Sequence, residues 1–294
     1  LSGVCQTRYR HDGLLWRDYT GPFTVTETST YEYYAVDCAG NRELTNTLTI
    51  QIDREPPTST ATPSAPVLPS GWYTQPVTIA ITATDAGSGW DGRSEYRLNG
   101  GAVLQGTDVV ISQDGCHTLE YRSRDVVGNW EAWKTATYCL DRAVPTVMPT
   151  VTAARVSQDG QWYKPPVTIT LQAQDPAPGS GVQVVQYRRQ GTVPWLEGSA
   201  IHENGSQGDG PYTYEYRASD VAGNISAVQT VTVQIDDSPP GQPGNVMVTP
   251  TAWVNTDGLF RVDWTNPDDL SGIWGGCYQL DLDPSSQGTA EASG

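Results

Sequence analysis

The fold of this chain is decided by residues 214–224, which read YEYRASDVAGN. Tyr214, Tyr216 and Ala218 alternate with polar residues, so they share one face of an extended strand. The last five residues, DVAGN, are a turn signal, because aspartate bonds its own backbone and Gly-Asn accepts positive φ. The segment therefore predicts a half-buried strand that runs into a β-hairpin.

The same strand and turn occur three times in the chain. The turns read DCAGN at 37–41, DVVGN at 125–129 and DVAGN at 220–224. Each turn follows a strand that contains tyrosine, and each precedes an alternating strand and a linker with proline. A turn that recurs about every 90 residues is typical of a tandem array of small domains.

A Ser-Gly pair also recurs, and an aspartate stands just upstream of the last three copies. The pairs are Ser2-Gly3, Ser88-Gly89, Ser180-Gly181 and Ser271-Gly272, and the upstream aspartates are Asp85, Asp175 and Asp269. Strands of period two precede two of these aspartates, at 77–83 and 167–173. Short strands separated by turns, with no helical pattern, predict an all-β fold of tandem immunoglobulin-like β-sandwich domains, each of about 90–100 residues.

Linkers that contain proline place the domain boundaries, because proline ends a strand and stiffens a junction. The linkers begin at Asp53, Asp141 and Asp236. The predicted domains are the C-terminal half of one at 1–53, complete domains at 54–141 and 142–237, and the N-terminal part of a further one at 238–294.

The composition excludes several classes of protein. A net charge of −16 argues against nucleic acid as a partner, because phosphates require Lys and Arg. No apolar run approaches the ~18 residues of a membrane span, so membrane attachment would use segments outside this sequence. The chain opens on Leu1-Ser2-Gly3-Val4, which matches the middle of the later repeats, and we expect an excerpt of a longer secreted protein.

These features resemble the immunoglobulin-like repeats of large bacterial secreted and surface-anchored proteins. The resemblance is carried by the Asp-x-x-Gly-Asn turn, the aspartate with Ser-Gly, and the linker pattern Ile-Asp-x-x-Pro-Pro at 235–240. The last domain, with Trp253 and Trp264, looks closer to a fibronectin type III variant. The resemblance implies a non-catalytic structural or adhesive region, extracellular or on a bacterial cell surface, that forms an extended stalk or fibre. Its partners would be neighbouring domains, copies of itself, or a surface polysaccharide or protein.

Calcium is the candidate cofactor, at the junctions between domains. In this fold both aspartate-bearing loops lie at the end that receives the linker, so each linker aspartate would meet one aspartate from each loop. The candidate ligands are Asp53 with Asp85 and Asp125, then Asp141 with Asp175 and Asp220, and then Asp236 or Asp237 with Asp268 or Asp269. Carboxylates and loop carbonyls are the ligands that Ca²⁺ takes, and the adhesin resemblance implies comparable sites. The alternative is that these aspartates only shape their turns.

Four of the five cysteines form predicted pairs. Cys116 and Cys139 are placed symmetrically about Gly128, so a hairpin centred there sets them opposite each other and predicts a disulfide. Cys5 and Cys38 belong to two loops at the same end of an immunoglobulin-like sandwich, which makes a second bridge plausible. Cys277 is left for a residue outside the sequence or for a neighbouring chain. Disulfides indicate an oxidising compartment, and free buried thiols are the alternative.

Two further functions stay open, and neither is catalytic. Trp130, Trp133 and Trp274 could stack on sugar rings if exposed, as in a polysaccharide-binding accessory region of a secreted enzyme or surface assembly; the alternative is packing. The half-domains at the two ends could also complete each other head to tail in a self-assembling filament. We do not expect an enzyme, because the three histidines lie in non-equivalent positions and no nucleophile has a recognisable partner.

Overall fold

The computed structural model of the chain describes residues 2–249 and 261–273. Every regular element within these two ranges is a β-strand, so the predicted all-β class is confirmed. No helix in the described ranges is long and apolar enough to cross a membrane. The chain divides into two compact units, Leu1–Leu140 and Asp141–Gly294. The finer division into four domains stays a prediction.

The first unit opens with a four-stranded antiparallel sheet, here the leading sheet. Its strands are β1 (Val4–His11), β2 (Arg17–Asp18), β3 (Ser29–Asp37) and β4 (Asn46–Ile50), in the order β2-β1-β3-β4. Tyr9 lies directly opposite Tyr33, and Tyr31 opposite Leu48, so aromatic and aliphatic side chains collect on one face as the alternation predicts. Tyr33 and Leu48 stay exposed on that face.

The same unit continues with a two-layer sandwich, here repeat A. Its strands are β5 (Thr58–Pro63), β6 (Trp72–Tyr73), β7 (Val77–Thr84), β8 (Trp90–Leu98), β9 (Leu104–Gln105), β10 (Asp108–Ile111), β11 (Gly115–Asp125) and β12 (Lys134–Leu140). One sheet has the order β10-β7-β5 and the other β6-β12-β11-β8-β9. The inward residues of β7, such as Ile79 and Ile81, pack in one cluster with Leu119 and Leu140 of the facing sheet. Period-two alternation thus becomes a dry core between two layers.

The second unit contains an equivalent sandwich, here repeat B. Its strands are β13 (Thr146–Val156), β14 (Trp162–Gln174), β15 (Val182–Arg189), β16 (Leu196–Glu197), β17 (Ala200–Glu203), β18 (Gly210–Asp220) and β19 (Gln229–Ile235). They form one continuous sheet in the order β13-β14-β19-β18-β15-β16, with β17 also paired to β14. Strand β14 joins the two layers because its first residues pair parallel to β19, whereas its later ones pair antiparallel to β17; β13 pairs antiparallel along its other edge. Val167, Ile169 and Leu171 of β14 form the core with Tyr212 and Val233.

The second unit ends, as far as it is described, with an antiparallel pair. Strands β20 (Gly244–Thr249) and β21 (Arg261–Thr265) form this two-stranded sheet. Trp264 lies on β21, whereas Trp253 lies outside the described residues. The fibronectin-like character of this last segment therefore stays a prediction.

A buried carboxylate ties the two layers of repeat A together. Glu131 precedes β12, is 6% exposed, and accepts N–H groups from Ser59 of β5 (3.1 Å) and Ser123 of β11 (2.9 Å). The Lys134 ammonium lies 3.0 Å from the Glu131 carboxylate and donates to the Ser59 carbonyl at 2.6 Å. One ion pair therefore fastens the first strand of the repeat to the opposite sheet.

Candidate functional site

Each linker aspartate is held by the loops of the repeat that follows it. The Asp53 carboxylate accepts the Ser88 N–H at 2.6 Å, and its main-chain carbonyl accepts the Asn129 side-chain amide at 3.3 Å. Asp141 repeats both contacts, with the Ser180 N–H at 2.8 Å and the Asn224 amide at 3.1 Å. Ser-Gly and Asp-x-x-Gly-Asn thus recognise the linker as well as shaping turns. The sequence signal for this role is the fixed spacing of the two motifs.

The turn aspartates of repeats A and B are fully buried, and each accepts three hydrogen bonds. Asp125 Oδ1 accepts the N–H groups of Gly128 and Asn129, each at 2.6 Å, and its Oδ2 accepts the Asn129 amide at 2.7 Å. Asp220 makes the same three contacts at 2.7–2.9 Å. In the first copy of the turn, hydrogen bonds from Asn41, chiefly through its side chain, lower the pKa of Asp37 to about 2. In this first copy the turn therefore holds the Asp37 carboxylate ionised.

The aspartates upstream of Ser-Gly close the arrangement. Asp85 Oδ1 accepts the N–H groups of Gly87 (3.1 Å) and Gly89 (2.7 Å), whereas Asp175 Oδ2 accepts the Gly181 N–H at 2.7 Å. A Cβ added to Gly87 would lie 2.4 Å from the Asp53 carboxyl carbon, so only glycine lets this loop approach the linker. Gly179 has the same constraint against Asp175 Oδ2, also at 2.4 Å.

These contacts bring together two of the three predicted sets of ligands. Carboxylate oxygens of Asp53, Asp85 and Asp125 lie within 4.8 Å of one another and form what we call cluster 1. Cluster 2 consists of Asp141, Asp175 and Asp220 within the same limit. Three hard oxygen donors from two loops and a linker have the chemistry of a calcium site, with further ligands to come from carbonyls and water.

Cluster 2 is the more deeply buried of the two. Asp141 and Asp220 are both 0% exposed. Asp175 Oδ1 is buried and accepts no hydrogen bond. Burial, with the charges of Asp141 and Asp220, raises the pKa of Asp175. An ionised Asp175 is therefore costly here, and a cation would remove that cost.

At the third junction the described residues bring together two aspartates. The Ser271 N–H donates to Asp236 Oδ2 and to Asp269 Oδ1, both at 3.1 Å, which repeats the linker contact of the other junctions. The Asp237 N–H instead donates to Asp209, and the Asp268 side chain is exposed. Asp236 with Asp269 is thus the pair that corresponds to the first two members of clusters 1 and 2.

Both predicted cysteine pairs are disulfides in the structure. Cys116 and Cys139 lie directly opposite each other on β11 and β12, with their Cα atoms 4.0 Å apart. Cys5 of β1 is bonded to Cys38 of the first turn, with a Cα separation of 4.9 Å. Cys277 lies outside the described residues.

The tryptophans of the repeats pack against arginines. In repeat A the guanidinium groups of Arg97 and Arg122 lie 5.1 and 4.6 Å from the centre of the Trp133 ring. These arginines stand in neighbouring rows of one sheet face, salt-bridged to Glu120 and Glu95, so the indole lies between them. Such contacts stabilise the ring by cation–π attraction.

Trp130 is held in a similar way between the next two rows. Its ring centre lies 4.6 Å from the Arg122 guanidinium and 5.6 Å from that of Arg124. Guanidinium groups lie against Trp130 and Trp133 and both indoles are half-buried, which favours packing over sugar stacking for these two rings. Trp274 lies outside the described residues. Sequence reasoning missed this arrangement because it depends on the pairing of β8 with β11, which sets arginines of the two strands in neighbouring rows.

Comparison with known proteins adds one relative in sequence and several in structure. No family model matches the chain. Exoglucanase B of Cellulomonas fimi is 28% identical over 216 residues, which is 69% of this chain and 20% of that protein. The chain therefore spans about a fifth of the length of this curated relative.

Among solved structures, three similar ones come from bacterial proteins or adhesins. The fibronectin(III)-like modules of Clostridium thermocellum CbhA give a TM-score of 0.31 at 15% identity, covering 60% of this chain and 95% of theirs. A tetra-tandem repeat from the extending region of a large adhesion protein gives 0.30 at 19% identity, over 81% and 68%. A 1.5-MDa bacterial ice-binding adhesin gives 0.34 at 12% identity, over 81% and 88%.

Proposed function

We propose that this chain is a non-catalytic segment of an extracellular protein, in which immunoglobulin-like sandwiches act as an extended stalk. Calcium at clusters 1 and 2 would stiffen its junctions. The observation that carries the proposal is the linker aspartate. At two linkers, its carboxylate and carbonyl are bound by the same two loops of the following repeat, beside two further carboxylates. A spacer needs such fixed linkers, because a free linker would let neighbouring domains swing.

Calcium would complete these junctions electrostatically. Each cluster concentrates three carboxylates, and at cluster 2 the buried Asp175 Oδ1 has no hydrogen-bond donor of its own. A divalent ion would neutralise this charge and would join the linker to both loops at once. Clusters 1 and 2 would then work in the same way, with cluster 2 depending more strongly on the ion.

An extracellular location is supported by the covalent chemistry. Two disulfides within 140 residues indicate folding in an oxidising compartment. The charge of −16 would keep such a surface well solvated outside the cell.

A second candidate is an accessory region within a secreted enzyme that acts on glucan. The sequence similarity to Exoglucanase B favours it, because the match covers most of this chain and only a fifth of that protein. The two candidates share the role of a spacer and differ in what the spacer is attached to.

The test is calcium binding by the whole chain. We expect isothermal titration after chelation to give about two sites per chain, and calcium to raise the melting temperature above its value in EDTA. Small-angle X-ray scattering should show a narrower distribution of lengths with calcium. The variant D85N/D175N should lose binding.

The matched control replaces two turn aspartates outside the clusters. Asp12 and Asp159 each accept a backbone N–H, from Thr30 and Gln161, so D12N/D159N alters the same chemistry elsewhere. It should bind calcium as the native chain does. The calcium part of the proposal fails if the native chain gives no binding heat, or if D85N/D175N binds as tightly as the control. A length distribution that is as broad as that of a flexibly linked chain would overturn the stalk.

A further inference from the structure

The two repeats carry one face that is almost free of charge. In repeat A this neutral face is the outer side of β5, β7 and β10, where residues alternate with the buried core positions. Its nine outward positions include six threonines and a single charged residue, Asp108. The chain as a whole has 17 basic and 33 acidic residues, so the absence of charge here is selective.

Repeat B presents the same face on β13, β14 and β17. Its outward positions are Thr146 to Thr152 on β13, Thr168 to Gln174 on β14, and Ala200 and His202 on β17, every second residue. These positions include no Asp, Glu, Lys or Arg, and the first charged pair along the two strands is Arg155 opposite Lys164, beyond the register shift that follows Ala153. The opposite layer of the sandwich is charged on its outer side, with ion pairs such as Arg188–Glu215. Each repeat thus has one nearly uncharged outer face and one charged outer face.

The threonines of the neutral faces stand in register. Thr60 and Thr82 lie opposite each other with their hydroxyls 3.1 Å apart, and Thr58 lies opposite Thr84. In repeat B, Thr150 lies opposite Thr170. Outward residues repeat every ~6.6–6.8 Å along a strand and every ~4.8 Å across strands, so the threonine hydroxyl and methyl groups form regular rows on each face.

The chemistry of this lattice selects among partners. Protein interfaces depend on buried aromatic and arginine anchors, which the neutral faces lack. Nucleic acids and anionic membranes need basic residues, which they lack as well. A nearly uncharged sheet surface rich in hydroxyl and methyl groups is instead complementary to an uncharged, hydroxylated surface, whose binding requires little desolvation of charge.

We infer that the neutral faces lie against an uncharged, insoluble polysaccharide. Shallow contacts are weak individually, and each repeat presents its own copy of the face to a repeating ligand. The inference rests on the extracellular, non-catalytic role proposed above. It differs from sugar stacking on tryptophan, because the binding groups are threonines on the sheet opposite the Arg–Trp contacts.

The experiment measures adsorption of the whole chain to microcrystalline cellulose. We expect saturable adsorption above that of serum albumin, with less than a twofold change between 50 and 500 mM NaCl, because no charge takes part. The variant T60D/T150D places one carboxylate on each neutral face, and should lower the ratio of bound to free protein at least fivefold.

The matched control uses threonines of the same kind on strands outside the neutral faces. Thr49 and Thr232 are exposed and stand in cross-strand pairs with Thr30 and Thr213, with hydroxyl separations of 3.3 and 2.9 Å. T49D/T232D should change adsorption less than twofold, and both variants should keep the native circular dichroism spectrum. Equal losses in the two variants, adsorption that salt abolishes, or none above albumin would overturn the inference.

Two further measurements separate this inference from its alternatives. If sedimentation velocity shows a dimer that only T60D/T150D converts to a monomer, the face binds a second copy and the polysaccharide inference fails. Adsorption should be the same in EDTA and in calcium, and T60D/T150D should bind calcium as the native chain does. Failure of adsorption with normal calcium binding would therefore leave the proposed stalk intact, and the reverse result would leave the polysaccharide face intact.

Discussion

Repeats A and B share their strand framework and linker contacts, yet different side chains fasten them. At the register position where repeat A has the Cys116–Cys139 disulfide, repeat B pairs Pro211 with Gln234. The first strand of repeat A is locked through Glu131 and Lys134, whereas β13 of repeat B relies on ten pairs with β14. The repeated sequence pattern therefore gives the strands and linker contacts that both repeats share, whereas the disulfide and the buried ion pair stabilise repeat A alone.

In both repeats a tryptophan packs against the same pair of arginine positions, and we call this position the tryptophan slot. The tryptophan comes from a different loop in each repeat. In repeat B, Trp195 comes from the loop before β16 and lies 4.4 Å from the guanidinium groups of both Arg188 and Arg217. In repeat A, Trp133 comes from the segment before β12 and contacts the corresponding Arg97 and Arg122. The arginine positions are therefore the repeated feature. The tryptophan that packs on them comes from the segment before β12 in repeat A and from the loop before β16 in repeat B.

The largest expected effect separates the two ways of holding the first strand. E131A should destabilise repeat A by about 4 kcal/mol, because it breaks a buried ion pair and leaves the Ser59 and Ser123 N–H groups without acceptors. In repeat B, S226A removes only the hydroxyl that accepts the Ala218 N–H, at a cost of about 1 kcal/mol. Hydrogen exchange followed by mass spectrometry measures the loss of stability in both variants. If the amides of β5 are protected equally in the native chain and in E131A, Glu131 does not hold the first strand of repeat A.

Removal of the cross-strand disulfide should have the next largest effect. C116S/C139S should cost repeat A about 3 kcal/mol, since the unfolded chain regains the freedom of the closed loop. Repeat B has no disulfide, so calorimetry of the variant should show one transition lowered and the transition of repeat B unchanged. A shift of both transitions would show that the repeats unfold together.

Tryptophan truncation tests whether the slot is equivalent in the two repeats. W195A should cost about 2 kcal/mol through lost burial and two cation–π contacts. W133A should cost about 1 kcal/mol, because Trp130 still covers Arg122. The exposed Trp264 supplies the control, W264A, which should change little. Chemical denaturation, followed by hydrogen exchange of the backbone amides of β15 and β8, measures the stability of each repeat. If W195A leaves the stability of repeat B unchanged, Trp195 does not stabilise that repeat through the two arginines.

The smallest effect distinguishes the aspartate clusters. The raised pKa of Asp175 means that its protonated form favours folding, so its contribution is present at low pH and is lost as pH rises through that pKa. At pH 7 in EDTA, D175N should therefore raise the melting temperature of repeat B by about 2 °C.

Cluster 1 should respond in the opposite sense. D85N should lower the melting temperature of repeat A, because Asp85 accepts two N–H groups as a carboxylate. Differential scanning calorimetry from pH 5 to 8 gives both signs. A fall in melting temperature for both variants would show that cluster 2 carries no uncompensated charge without calcium.

Much of the fold is predictable from the sequence because its signals are local. The alternation at 214–219 and the turn at 220–224 each concern adjacent residues, and they place Tyr214, Tyr216 and Ala218 in the core. The Cys116–Cys139 bridge follows from hairpin symmetry alone. The contact between Asn129 and the linker residue Asp53 is harder to predict from the sequence, because the two residues are 76 positions apart.

The all-β strands, the turns and the Cys116–Cys139 bridge follow from the sequence, because each depends on period, φ preference or symmetry along one hairpin. The Cys5–Cys38 bridge and the aspartate sets follow instead from where loops lie in an immunoglobulin-like sandwich. Only the tertiary structure decided how those groups are used. Loop closure brings Asp141, Asp175 and Asp220 together and buries two of them completely. Sheet register sets Trp133 between arginines from different strands. Contacts between distant residues depend on how the layers pack, and no local pattern encodes that.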